Sequence, residues 1–110
     1  MNRESAGAPI EVADNPAENR YEIRVDGELA GFAQYRQRPA GLAFTHTEID
    51  DRFEGQGLGG RLVSFALDDA RSRGLAVLPF CPFVKGYIEG HPEYLDLVPE
   101  QKRSEFGLDA

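Results

Sequence analysis

Apolar and polar residues change their rhythm near the middle of this chain. From Tyr21 to Val25 they alternate, with Tyr21, Ile23 and Val25 against Glu22 and Arg24, the period of a half-buried strand. Asp26-Gly27 is a tight hairpin turn. Leu29–Arg36 reads as the returning strand, with Ala30, Phe32 and Gln34 on one face and Gly31, Ala33 and Tyr35 on the other. A turn at Arg38-Pro39-Ala40-Gly41 leads to a third long strand over Leu42–Ile49. Ahead of these, Ile10–Ala13 forms a short strand closed by the turn signal Asp14-Asn15-Pro16. The front half is therefore an antiparallel meander.

From Leu58 the period becomes helical. Leu58, Leu62, Val63, Ala66, Leu67 and Ala70 make one apolar stripe. Arg71 and Arg73 fall in the last turn, where cations suit the helix dipole, and Gly74 is a left-handed cap just beyond. Leu75–Phe80 is a continuous apolar run, the pattern of a strand covered on both faces. Pro82 opens a second helix with Phe83, Val84, Tyr87 and Ile88 as its stripe, and His91-Pro92 ends it. A short final strand is expected over 93–98, then a charged, loose tail from 99 to 110. Residues 1–9, small and polar, are expected to be disordered. The fold class is α/β in content and α+β in arrangement: a mixed, mostly antiparallel sheet with two main helices. It contains one strand–loop–helix–strand unit, whose two strands need a crossover.

Composition narrows the function. A chain of 110 residues supports one domain with one modest core, here 10–98. A net charge of −7 argues against a partner bound by neutralising phosphates along a backbone, so against nucleic acid and against an anionic membrane surface. One cysteine permits no internal disulfide, and two histidines with it show no paired metal-ligand spacing. No apolar run is long enough to span a membrane, and the first residues lack an apolar signal core. The expectation is a soluble cytoplasmic domain without a metal.

The chemistry concentrates where the rhythm changes. In 53-FEGQGLGGRL-62 four glycines, Gly55, Gly57, Gly59 and Gly60, stand at the door of a helix. A helix N-terminus presents unpaired N–H groups and the positive end of the dipole. Glycines there let an anion approach the backbone closely. Gly55-x-Gly57-x-x-Gly60 also fits the dinucleotide pattern, but the carboxylate that pattern needs about twenty positions on is missing at Leu78-Pro79-Phe80-Cys81. The Lys-Ser/Thr pair of a nucleotide triphosphatase is missing too.

A meander, a glycine-rich turn, a helix and a buried strand resemble the GCN5-related N-acetyltransferase superfamily. The segments 45-THTEID-50, 53-FEGQGLGGRLV-63 and 81-CPFVKGYIEGHPEYLDLV-98 are similar to its small single-domain branch, whose members lack the first helices of full-sized relatives. The resemblance implies acetyl-coenzyme A as co-substrate and an amine acceptor, a small molecule or a protein lysine, in a monomer or homodimer. It implies that the pyrophosphate sits on Gln56, Gly57, Leu58, Gly59 and Gly60. Glu54 stands where the family has Arg or Gln, and Arg61 supplies the missing charge. Ile49 at the strand end and Lys85 on the second helix complete the implied coenzyme contacts. Acetyl transfer needs a base, an oxyanion donor and an acid for the departing thiolate. His46 and Glu48 share a strand face, and either is a candidate base. Cys81, before a helix start, is a candidate acyl-carrying nucleophile or a packed thiol. Tyr87 is the candidate acid. The alternative is a non-catalytic module that binds coenzyme or a protein partner. His91 at its helix end is read as structural, and the acidic surface favours a cationic acceptor.

Overall fold

A computed structural model of the chain describes residues 9–108. Five strands form one sheet in sequential order: β1 (Ile10–Asn15), β2 (Arg20–Val25), β3 (Glu28–Arg38), β4 (Gly41–Ile49) and β5 (Val77–Pro79). Neighbours from β1 to β4 are antiparallel, and β5 lies parallel to β4. Helix α1 (Leu58–Ser72) makes the crossover between β4 and β5, and α2 (Pro82–Gly90) follows. The meander, the crossover helix and the second helix stand where the periodicity places them. The expectation for residues 1–8 lies outside the described residues.

Alternation decides the buried face. Tyr21 and Ile23 of β2, Ala33 and Tyr35 of β3, and Leu42 and Phe44 of β4 join the α1 stripe in one core. All six stripe residues of α1 that the period selects are buried. Two tyrosines then fasten the sheet to the end of the helix. Tyr21 donates its hydroxyl to Asp69 of α1 at 2.6 Å, and Tyr35 donates to Asp14 of β1 at 2.6 Å. Arg73 bridges the two carboxylates, 3.3 Å from Asp69 and 3.6 Å from Asp14. Burial, followed by these hydrogen bonds to carboxylates, pushes both phenols well above their ordinary value.

The opposite sheet face is solvated and charged. Among the described residues its one buried charge is Glu22, to which Arg20, Arg24 and Asn15 all donate. Burial alone raises that carboxyl, but hydrogen bonds from Arg20, Asn15 and Arg24 together outweigh it and hold it below the usual glutamate range.

Three expectations are corrected. The buried run Leu75–Phe80 contributes only three strand residues, because Pro79 offers no N–H and Phe80 turns outward, 54% exposed. The segment expected as a final strand is a 3-10 helix, Pro92–Leu97, started by a proline whose fixed φ suits a helical turn. Over its described residues the tail is not loose: two 3-10 turns, Glu100–Lys102 and Ser104–Phe106, bring Phe106 and Leu108 into the core. Phe106 meets Phe80 edge-on, with ring centroids 5.0 Å apart. Among the described residues no helix is long and apolar enough to cross a membrane.

Candidate active site

The short reach of β5 leaves β4 with an open edge. β5 pairs with β4 only at Leu42, Ala43 and Phe44, and the Cys81 amide adds one last bond to the Phe44 carbonyl at 2.8 Å. β4 then continues from Thr45 to Ile49 with β3 alone as its neighbour. A register shift opposite Gln34 and Tyr35 falls where the strands part, and such an irregularity bends the strand. Asp50 donates its N–H to the Ala30 carbonyl on β3. By the two-residue period, the backbone groups of Thr47 and Ile49 therefore face the open edge.

A cavity of about 520 Å³ lies beside this edge. Thr47 and Ile49 form its β4 wall, Phe53, Glu54 and Gly55 its floor, the start of α1 its far side, and Phe83 of α2 its rim. The approach to the loop is fixed by Asp50, which accepts from the Arg52 N–H at 2.9 Å and from Arg52 Nε at 3.2 Å. Those backbone and side-chain bonds from Arg52 hold the Asp50 carboxyl below its ordinary value. Arg52 also reaches Glu28 at 2.6 Å, so its charge is directed away from the loop.

The four glycines serve three different ends. Gly57, the residue before α1, has φ +72°, a left-handed conformation that a side chain strains, and it offers the helix no capping side chain. The first intrahelical bond runs from the Arg61 N–H to the Gly57 carbonyl, so the amides between them have no partner within the helix. Gly55 is left-handed as well. Gly59 is different: a Cβ there would lie 2.6 Å from the tip of the Phe83 ring, so its missing side chain makes room for the rim. Gly60 sits near Tyr87, at an ordinary contact of 3.6 Å for an added Cβ. Gly57, Leu58, Gly59 and Gly60 all border the cavity, whereas Gln56 is exposed beside it. Arg61 is exposed and makes no ion pair among the described residues.

The remaining candidates separate by position. Cys81 is the residue before α2, and only 3% of it is exposed. Its thiol donates to the Thr47 hydroxyl at 3.3 Å. His46 and Glu48 do share a face and touch, with Nε2 3.0 Å from Oε1, and both are more than half exposed. They alternate with Thr47 and Ile49, so they stand on the sheet face away from the cavity. Tyr87 stacks on His91 at a centroid distance of 3.9 Å, and His91 Nδ1 lies 2.8 Å from the Tyr87 carbonyl. Lys85 pairs with Glu89 at 3.7 Å and borders a separate open groove with Phe80 and Phe106, not the glycine-lined cavity. Sequence reasoning passed over Thr47, Phe53 and Phe83. The signal for Thr47 was available, since it lies two residues before Ile49 on one strand face.

This geometry is a strand–loop–helix–strand unit with an open strand edge beside an uncapped helix start. The family model described as GCN5-related N-acetyl-transferase matches residues 20–97. The chain belongs to this family, and acetyl transfer is the activity that membership supports. Among solved structures it is similar to a GCN5-like candidate N-acetyltransferase from Staphylococcus aureus, known from NMR in solution. The two are 26% identical with a TM-score of 0.61, over 80% of this chain and 86% of that one. It is similar in fold to the ribosomal-protein-alanine N-acetyltransferase of Brucella melitensis biovar Abortus 2308, at 22% identity and a TM-score of 0.53. That likeness covers 72% of this chain and 60% of the other. No curated protein matches the chain.

Proposed function

We propose that the protein transfers an acetyl group from acetyl-coenzyme A to an amine. The observation that carries this reading is the cavity between the open β4 edge and the start of α1. The two sides suit the two ends of one ligand. The unpartnered amides of α1 and the positive end of its dipole suit a pyrophosphate. The outward backbone groups of Thr47 and Ile49 suit the two amides of a pantetheine arm, which would lie along β4 as an added strand does. The thioester would then rest near Thr47 and Cys81. Arg61, one turn into the helix, supplies a cation that makes no ion pair among the described residues. Lys85 is assigned no coenzyme contact, because it borders the other groove.

The open edge also joins the two faces of the sheet. Where β5 has left β4, an amine can come from the solvated face and meet a thioester held from the helix side. His46 and Glu48 stand on that solvated face, hydrogen-bonded to each other. We assign the pair as the base: one of them takes the proton of the ammonium, directly or through water. The amine nitrogen then bonds to the carbonyl carbon, the carbon–sulfur bond breaks, and the coenzyme leaves as a thiolate that takes up a proton. Tyr87, whose ring lies over the first turn of α1, is assigned as the donor of that proton. The acidic surface and the Glu48 carboxylate select a cationic acceptor, a small amine or a protein lysine.

A second reading is favoured by two observations. Cys81 is buried and the His46–Glu48 pair faces away from the cavity, which also suits a module that holds coenzyme without turnover. Release of free thiol from acetyl-coenzyme A, measured with and without spermidine or a lysine peptide, separates them. Amine-dependent release, lost in Glu48→Gln, supports transfer. Binding without release supports the module.

A further inference from the structure

Thr47 occupies a place that no other side chain of the site shares. It stands on the cavity wall at the open edge of β4, and its hydroxyl oxygen accepts a hydrogen bond from the Cys81 thiol at 3.3 Å. Cys81 itself is 3% exposed and does not reach the wall. The pair is therefore ordered, with the thiol behind and the hydroxyl in front. A threonine hydroxyl has one proton to donate and two lone pairs. The thiol occupies one lone pair. Among the described residues the Thr47 hydroxyl donates to no acceptor, and Thr47 borders the cavity, whereas Cys81 does not.

We propose that Thr47 donates a hydrogen bond to the carbonyl oxygen of the acyl thioester, and that Cys81 is a positioning residue that holds the hydroxyl in that direction. The proposal rests on the coenzyme reading above. Negative charge gathers on the carbonyl oxygen as the amine adds, and a donor fixed in advance at that point lowers the barrier. Thr47 lends a hydrogen bond and keeps its proton throughout. Cys81 keeps its proton as well and forms no bond to the acyl group. The thiol thus has the reverse of a nucleophile's role: it is sheltered from the thioester and acts through its neighbour.

The test uses acetyl-coenzyme A labelled with carbon-13 at the carbonyl. Affinity is read by calorimetry and the bound carbonyl resonance by NMR, in wild type, Thr47→Val, Thr47→Ser, Cys81→Ala and Cys81→Ser. Thr47→Val keeps the shape and loses the hydroxyl. It is expected to bind with wild-type affinity, while its carbonyl resonance returns to the position of the free ligand. Thr47→Ser is expected to keep the downfield displacement. Cys81→Ala loses part of it, and Cys81→Ser restores it. With an amine acceptor, kcat of Thr47→Val falls about a hundredfold with KM for the coenzyme unchanged. Equal carbonyl resonances in wild type and Thr47→Val overturn the proposal, as does an acetyl adduct on Cys81. Absence of binding by the wild type overturns the coenzyme reading and this proposal with it, and the isotherm tells the two failures apart.

Discussion

Replacing Gly57 by Asp and by Asn isolates the charge at the start of α1. The two side chains match in size, and both tolerate the left-handed conformation, here φ +72°, better than other residues do. They pay the same strain, so their difference reports charge alone. A Cβ at Gly57 meets nothing within 4 Å, so neither variant collides with the protein. A carboxylate about 5 Å from a bound pyrophosphate is repelled by about 1–3 kcal/mol for each phosphate charge, for an effective dielectric between that of water and about 20. The Asp variant should therefore bind acetyl-coenzyme A at least about tenfold more weakly than the Asn variant. Without ligand the order reverses: a carboxylate at the positive end of α1 stabilises the fold by about 0.3–1 kcal/mol relative to the amide. Raising the salt from about 0.1 M to 1 M shortens the screening length from about 10 Å to 3 Å and should narrow the affinity gap. Titration calorimetry gives the affinities and urea unfolding gives the stabilities. Equal affinities for Asp and Asn would refute a phosphate at this loop.

Other substitutions test the supporting structure. Gly59→Ala should displace the Phe83 ring, because the new methyl would lie 2.6 Å from its tip; near-ultraviolet circular dichroism and weaker coenzyme binding would show it, and restored binding in Gly59→Ala with Phe83→Leu would confirm the cause. Tyr21→Phe removes the hydroxyl shared by Asp69 and Arg73 and should cost about 1–3 kcal/mol in urea unfolding; a change within error would show that the bond contributes nothing. The Glu22 carboxyl is held low in the folded state, so its contribution is present above its unfolded pKa of about 4.3 and is lost as pH falls through the lower folded value. Glu22→Gln should flatten the acid limb of the stability curve, and an unchanged limb would contradict that assignment. Phe106→Ala should destabilise the domain by about 3 kcal/mol by emptying the contact with Phe80, whereas a loose tail would register no change.

The strands and helices were legible wherever one period governed a long segment. Tyr21 and Ile23 alternate against charge, and Leu58 to Ala70 repeat at helical spacing, so the buried face follows directly. The last third was not legible in the same way. The six residues after Pro92 are apolar enough for a strand, but a strand needs a partner edge, and β5 offers three residues ending in a proline. Phe106 and Leu108 are only two apolar residues, one glycine apart, in a tail that is otherwise mostly charged and polar, too few to show a period, and the exposed Phe80 is what Phe106 covers.

The candidate site divided along similar lines. The glycine loop announces itself by composition, and Gly57 and Gly60 border the cavity. Sequence alone does not say that Gly59 is empty for the sake of a phenylalanine twenty-four positions on. His46 and Glu48 attract attention because they titrate, while Thr47 between them does not. Yet strand parity sends Thr47 and Ile49 to the cavity and the titratable pair to the other face. The ordering of Cys81 behind Thr47 depends on where β5 leaves β4, which is a matter of three-dimensional register.

The central claim is that the cavity between β4 and α1 holds acetyl-coenzyme A, and the most direct measurement is calorimetric titration of the wild-type protein with that compound. The account predicts saturable one-to-one binding that free coenzyme A competes for. No heat at millimolar acetyl-coenzyme A, with the protein folded by circular dichroism, would contradict it.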